Sequence, residues 1–391
     1  MGKDLVRKEL DTVAMEPLSP MSQLLSSPGM FIVVTFGFKI PFNLSAIVEG
    51  IKNTLINAPR FSSKMDIDYQ KKGESVWIPV RVRVEDHVIV PDLDYGNIDS
   101  PDQFIEDYTS SIANTPMDMS KPLWEFHLLN IKTSNAESVV LAKIHHSIGD
   151  GMSLMSLLLA CARKTSDPNA LVSTKTATRK PTASKASAWW LFTGFWLMIR
   201  AVFYTIVDVF KSLLTIYFLR DTKNPLMANT NNGIRSWKVI HRTISFDDVK
   251  LVKNVMNTTV NDVLLGMTQA GLSKYLSTKY DRYTMVQKEK ILEKIRVRST
   301  VAVNLRPAAN IEDLANMMAN GSKCRWGNVV AVILFPLWIK SEDDPLDYVN
   351  KIVINLAVDT STIPDPHRLC DDVVESLETI KSAINFHKTE V

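Results

Sequence analysis

The segment Ala188–Leu219 limits the fold more than any other: 32 residues carrying three internal charges, Arg200, Asp208 and Lys211, before Arg220 closes it. Just before it, Lys164–Ser187 turns to Thr, Ser, Lys, Pro and Ala, which is linker composition. A chain of 391 residues exceeds one typical core, so a division here is expected. The reading is an N-terminal domain over 1–175, a linker and apolar segment over 176–235, and a C-terminal domain over 236–391.

About 20 apolar residues suffice to cross a bilayer. At about 100° per residue, however, Thr193, Arg200, Tyr204, Asp208, Lys211 and Thr215 fall on one stripe, bordered by Trp189 and Trp190. Phe192, Phe195 and Trp196 lie on the wide apolar face. Such a helix can lie in a membrane interface. An Asp208–Lys211 pair at i, i+3 would also lower the penalty of spanning. The plain alternative is an amphipathic helix buried in the fold. Membrane association is expected, with interfacial insertion and spanning both open.

Composition narrows the class. Hydrophobic residues at 46% with 22% charged read as globular, and a net charge of +3 with scattered basic residues gives no reason to expect nucleic acid. Cys161, Cys324 and Cys370 are too widely spaced for a disulfide framework or a zinc site, which suits a reducing compartment. Met1–Val6 has no apolar signal core, and Val6 stands where myristoylation favours Ser or Thr; a cytosol-facing domain is the default.

In the first half, strands are expected at Phe31–Ile40, Val80–Val84, Trp124–Ile131 and Ser138–Ile144. Helices are expected at Leu44–Ile56 with Asn43 as cap, at Pro101–Asn114 with Ser100 as cap, and after the histidines, where Met152, Met155, Leu158, Leu159 and Ala162 share a face. This alternation predicts an α/β domain. In the second half, strands are expected at Trp237–Phe246, Ile295–Leu305 and Asn328–Phe335, the last stopped by Pro336. Helices are expected at Asp247–Met256, Asn261–Lys279 and Pro366–Lys388, the last capped by Asp365. One junction lacks punctuation: a helix from Asp344 through Val349 meets a strand at Val353–Val358 with only Lys351-Ile352 between, and no Gly, Pro or turn pair.

The candidate chemistry lies at Val139–Gly151, where an apolar strand ends in His145-His146 and Gly149-Asp150-Gly151 leads into an apolar helix. A strand end followed by a glycine turn can hold a side chain rigidly in a cleft. An imidazole there can take the proton of an alcohol attacking a carbonyl. No Gly-x-Ser-x-Gly elbow is present, and no cysteine sits beside a plausible base, so direct attack by a bound hydroxyl is simpler than a covalent acyl-enzyme. Asp150 is better placed to fix the turn, with an arginine as partner, than to share a proton. The plain alternative is a metal-binding or structural histidine pair; the other histidines, His87, His127, His241, His367 and His387, are scattered, so no metal site is expected.

His145-His146-Ser147-Ile148-Gly149-Asp150-Gly151 resembles the signature of the plant bifunctional wax ester synthase/diacylglycerol acyltransferase family. Glu16–Pro20, Pro122–Glu125, Asn261–Val263 and Asn304–Arg306 resemble further motifs of that family in the same order. The resemblance implies a two-domain fold like the CoA-dependent acyltransferases, α/β (α+β), with mixed sheets, flanking helices and an active site in a tunnel. It implies acyl-CoA as co-substrate, no cofactor, a long-chain alcohol or diacylglycerol as acceptor, membrane lipid as a partner, and room for a homo-oligomer. By carry-over His146 is the catalytic base, Asp150 orders the turn, and His145 supports it or acts directly. Gly151, Trp124, Asn261, Asp262 and Arg306 are substrate-binding candidates. For Asn261 the plain alternative is a helix cap, for Trp124 a core residue, and for Arg306 either the partner of Asp150 or a surface arginine. The endoplasmic reticulum membrane is the expected location, with the plasma membrane a second possibility and the catalytic domain facing the cytosol. The family carries a block of helices and strands that is missing here near Ile352, so an internal deletion and an incomplete second domain are expected, which puts activity in question. A membrane-bound, catalytically impaired chain is one alternative. A soluble acyltransferase of specialised metabolism is another, although that family's Asp-Phe-Gly-Trp-Gly segment is absent.

Overall fold

The computed structural model describes residues 16–68, 74–93, 97–164, 167–171, 188–218, 236–280, 294–306, 326–339, 358–359 and 365–389, with a few single positions between 222 and 292. Contacts divide the chain into two compact units that interleave in sequence. Unit 1 takes Met1–Thr174, Arg235–His241 and Ala302–Ala331; unit 2 takes Lys175–Ile234, Arg242–Val301 and Val332–Val391. The junction at Lys351-Ile352 lies outside the described residues.

Unit 1 is built on a four-stranded sheet. Its strands are β1 (Phe31–Phe38), β2 (Val88–Ile89), β3 (Trp124–Leu129) and β4 (Ser138–His145), in the order β1-β4-β3-β2. β4 pairs antiparallel with β1 (Ile32 opposite Ile144) and with β3 (Phe126 opposite Ala142). All eight β4 residues are buried. A central strand covered on both faces reads as a continuous apolar run, as this one does.

The helices of unit 1 follow local signals. α1 (Leu44–Asn53) starts where the Asn43 side chain accepts the Ala46 N–H at 3.2 Å. α2 (Pro101–Asn114) has the expected bounds, with Pro101 in the first turn, but Ser100 makes no side-chain cap bond. α3 (Gly151–Cys161) starts at Asp150. The Asn114 amide pairs with both backbone groups of Trp237, at 2.7 Å each, which ties residues 235–241 to α2.

Two expected strands differ. Val80–Arg83 carries no strand and Val84 opens a 3-10 helix (Val84–Asp86); the paired strand is Glu74–Pro79, just before it. The alternation is real, because Arg81 and Arg83 are exposed while Val82 is half-buried and Val84 buried, yet alternation alone supplies no ladder partner. The strand expected to stop at Pro336 runs as Val330–Trp338, through the proline. The segment expected as a strand over Trp237–Phe246 is strand only at Trp237–Lys238.

Unit 2 contains α4 (Ala188–Tyr217), α5 (Phe246–Val255), α6 (Val260–Lys279) and α7 (Pro366–Thr389). α6 and α7 approach so closely that a Cβ on Gly271 would lie 2.5 Å from Val373 Cγ2 and 2.7 Å from its Cα. Leu265, Leu272, Leu276 and Leu369 fill one core beside that crossing, and Val263, Met267, Ile380 and Ile384 fill another. In α4, by contrast, Phe195, Trp196, Phe203 and Phe210 are each 60–63% exposed. The alternative of a helix buried in the fold therefore does not hold for these side chains. Among the described residues, no helix is long and apolar enough to cross a membrane.

Candidate active site

The two histidines occupy different environments: His145 ends the buried strand and His146 begins the turn after it. His145 is fully buried. Its Nδ1 accepts from the Ser147 hydroxyl at 2.7 Å and from the Ser147 N–H at 3.3 Å. Its Nε2 therefore carries the proton and donates to the Ser27 carbonyl at 3.0 Å. With both ring nitrogens committed, His145 holds the turn. Burial pushes its pKa below the ordinary histidine value, against the smaller raising effect of the Ser27 bond.

His146 is only half-buried. Its backbone N–H donates to the Met30 carbonyl at 2.7 Å, and its carbonyl accepts from the Asn328 amide at 2.7 Å. Its Nδ1 is buried without a partner, and its Nε2 makes no hydrogen bond, among the described residues. Of the two histidines, His146 alone offers a ring nitrogen to a substrate.

Asp150 fixes the turn with both carboxylate oxygens. Oδ1 accepts the Ser153 N–H at 2.9 Å, capping α3. Oδ2 accepts from Arg306 Nη1 at 2.8 Å and from the Val329 N–H at 2.9 Å. Arg306 is buried, and its Nη2 donates to Ser153 Oγ at 2.7 Å and to the Gly327 carbonyl at 2.8 Å. The guanidinium is thus committed to protein acceptors as the partner of Asp150 and is not a surface arginine. Both charges are desolvated, so each depends on the other.

Three residues without a motif complete this arrangement. Gly327 has φ +110°, and a Cβ there would run into the Arg60 guanidinium. Arg60 donates to the Ile148 carbonyl at 3.2 Å, pairs with Glu16 at 3.3 Å, and lies 5.5 Å from the Trp326 ring centroid and 6.0 Å from that of Trp77. Asn328 bridges Ser22 and the histidine turn. Only their position in the fold reveals them.

The face of β4 that bears Val140, Ala142 and Ile144 walls an apolar cavity of about 360 Å³. Ile47 and Ile51 of α1, Phe126 and Leu128 of β3, and Leu154 and Leu158 of α3 close it. Gly151 lines it too, with open space where a Cβ would stand. His146 is the first residue of the turn after this strand, and the cavity lining resumes at Gly151. Trp124 lies in the core instead: it is fully buried, stacks on His87 at 4.3 Å, and donates its indole N–H to the Phe61 carbonyl at 2.9 Å.

Asn261 and Asp262 belong to unit 2, in the first turn of α6. The helix cap is Thr259, not Asn261: the Thr259 hydroxyl accepts the Asp262 N–H, and Asp262 Oδ2 accepts the Thr259 N–H at 2.7 Å. Asp262 is thereby a capping residue, and the Asn261 side chain is exposed.

Comparison with known proteins accords with this fold and motif set. Residues 39–264 match the wax ester synthase/diacylglycerol acyltransferase catalytic domain, and residues 346–381 match the C-terminal domain of the same family. Wax ester synthase/diacylglycerol acyltransferase 1 of Arabidopsis thaliana is 57% identical over 482 residues, covering 100% of both chains. Number 3 of that species is 54% identical over 484 residues, covering 100% of this chain and 99% of the relative. These alignments outrun the 391 residues present, so the relatives carry positions with no counterpart here. Among solved structures, the wax ester synthase/diacylglycerol acyltransferase from Marinobacter aquaeolei VT8 superposes with a TM-score of 0.50 at 14% identity, covering 95% of this chain and 100% of that one. The first condensation domain of the calcium-dependent antibiotic synthetase gives 0.52 at 13% identity, covering 93% and 78%. The chain is an acyltransferase, and it belongs to the wax ester synthase/diacylglycerol acyltransferase family.

Proposed function

We propose that this chain transfers a fatty acyl group from acyl-CoA to the hydroxyl of a long-chain alcohol or of diacylglycerol, with His146 as general base. One observation carries the reading: the ring nitrogen left without a protein partner among the described residues lies in the turn that directly follows a strand walling an apolar cavity. Nε2 takes the hydroxyl proton as the acceptor oxygen attacks the thioester carbonyl. The new C–O bond forms, the C–S bond breaks, and the proton passes from the imidazolium to the departing CoA sulfur. The cavity suits an alkyl chain, because almost no polar group would have to be desolvated to fill it. The exposed apolar helix α4 supports an attachment to the cytosolic face of the endoplasmic reticulum membrane, lying along the interface where both acceptors dissolve.

The test is ester formation by microsomes expressing this chain, supplied with labelled acyl-CoA and either acceptor. Labelled wax ester or triacylglycerol is expected; neither product from a folded, expressed chain would overturn the reading. The longer alignments of the relatives favour a second reading, a membrane-bound chain that holds lipid without turnover. Membrane recovery together with silence in both assays would select it.

A further inference from the structure

Asn328 is 6% exposed, and its side chain is oriented without ambiguity. Nδ2 lies 2.7 Å from the His146 carbonyl, 3.4 Å from the Ser147 carbonyl and 3.0 Å from Ser22 Oγ. Backbone carbonyls can only accept, so the NH2 must face them. Oδ1 is then a buried acceptor without a partner among the described residues, and His146 Nδ1 is a buried ring nitrogen in the same condition. The two orphaned atoms belong to residues already joined by the 2.7 Å bond at the His146 carbonyl. Leaving each unmatched is unfavourable, because a buried polar atom has given up water without gaining a partner. No direct bond joins the two atoms, and both are satisfied if Nδ1 carries a proton that reaches Oδ1 through one water.

We propose that Asn328 is a positioning residue for His146: its amide fixes the backbone of the turn, and its oxygen selects the Nδ1–H tautomer, leaving the Nε2 lone pair for the substrate. A neutral imidazole has one donor and one acceptor nitrogen, so a partner for one assigns the other. The backbone beside Asn328 is fixed for this task. Ser153 Oγ receives the Gly327 N–H at 3.0 Å, Asp150 receives that of Val329 at 2.9 Å, and the positive φ of Gly327 sets the turn between them. Asp150 and Arg306 thereby act on the base through the segment that carries Asn328.

The inference rests on His146 being the base, so its test includes a measurement that needs no turnover. In full-length protein with ¹⁵N-labelled histidine, His146→Gln identifies the His146 ring signals. The expected result is a neutral His146 protonated at Nδ1 in the wild type, with the Nε2–H form gaining population in Asn328→Ala. In the ester assay Asn328→Ala should lower kcat by about 10-fold or more, with KM for acyl-CoA changed less than about twofold. A wild-type His146 protonated at Nε2 would overturn the proposal whatever the variant does, as would an Asn328→Ala chain that keeps both the tautomer and kcat. If the wild type forms no ester, the acyl-transfer reading fails, and the tautomer result decides this proposal by itself.

Discussion

The histidine turn and helix α4 differ in what they leave uncovered. In the turn, Asp150 uses both oxygens, His145 both ring nitrogens, and Arg306 is buried among four acceptors. The atom left accessible is one imidazole nitrogen. In α4 the described side chains from Phe195 to Ile206 are exposed, tryptophan and phenylalanine included. The turn has its partners within unit 1, so its specificity is internal. Most of the described apolar side chains of α4 are exposed, and exposed apolar patches are where contacts with partners or membranes form. One region is organised around a proton, the other around a surface.

Four changes would break or sharpen that contrast. The largest effect is expected from His146→Ala, which should lower ester formation by about 100- to 10,000-fold, the range of a lost general base. The chain should still fold, because the ring makes no hydrogen bond to another side chain among the described residues; an undiminished rate would refute the assignment. Next is Arg306→Met, which strands a buried carboxylate and should cost about 3–5 kcal/mol of stability by urea denaturation. Adding Asp150→Asn should recover part of that loss, and a single variant as stable as wild type would break the claim that the turn is held by this pair.

A smaller effect concerns pH. Burial lowers the pKa of His145, and that of His87 likewise, so both are neutral when folded. The unfolded chain takes up their protons first, near pH 6.5. Their contribution is therefore fully present above that pH and declines as pH falls toward the folded-state values. His145→Gln should flatten the fall in urea midpoint between pH 7.5 and 5.5; an equal slope would show that His145 is not the group responsible. The smallest effect on the fold should come from Phe203→Glu with Phe210→Glu, both on exposed positions of α4. Stability should change by less than about 0.5 kcal/mol per site, while recovery with the membrane pellet drops severalfold. Unchanged pelleting would remove α4 as the attachment.

The strand–turn–helix around His145-His146 was legible because its signals are local: apolar continuity into β4, glycines at the turn, helical spacing after it. Asn43 and Asp365 were legible as caps for the same reason, and Asp365 Oδ1 does accept the Arg368 N–H at 3.4 Å. Arg306 could be suggested as the partner of Asp150, but not its burial. Arg60, Gly327 and Asn328 could not be found, since their importance lies in a meeting between segments up to 306 residues apart. Val80–Val84 shows the converse limit. Its alternating exposure is as read, and whether a neighbouring strand exists is a property of the fold. Thr259 rather than Asn261 caps α6, two residues earlier, because its hydroxyl and Asp262 close a reciprocal pair.

The separation between Asp150 and Arg306 has a consequence in time. The two are 156 residues apart, and synthesis proceeds at about 5–20 residues per second. The histidine strand and its turn therefore emerge roughly ten seconds or more before the arginine, glycine and asparagine that complete them. During that interval a carboxylate destined for burial has no counter-charge and stays hydrated. The turn closes only after the chain has passed residue 329, so a ribosome-bound product released any earlier has the signature in its sequence and no formed site.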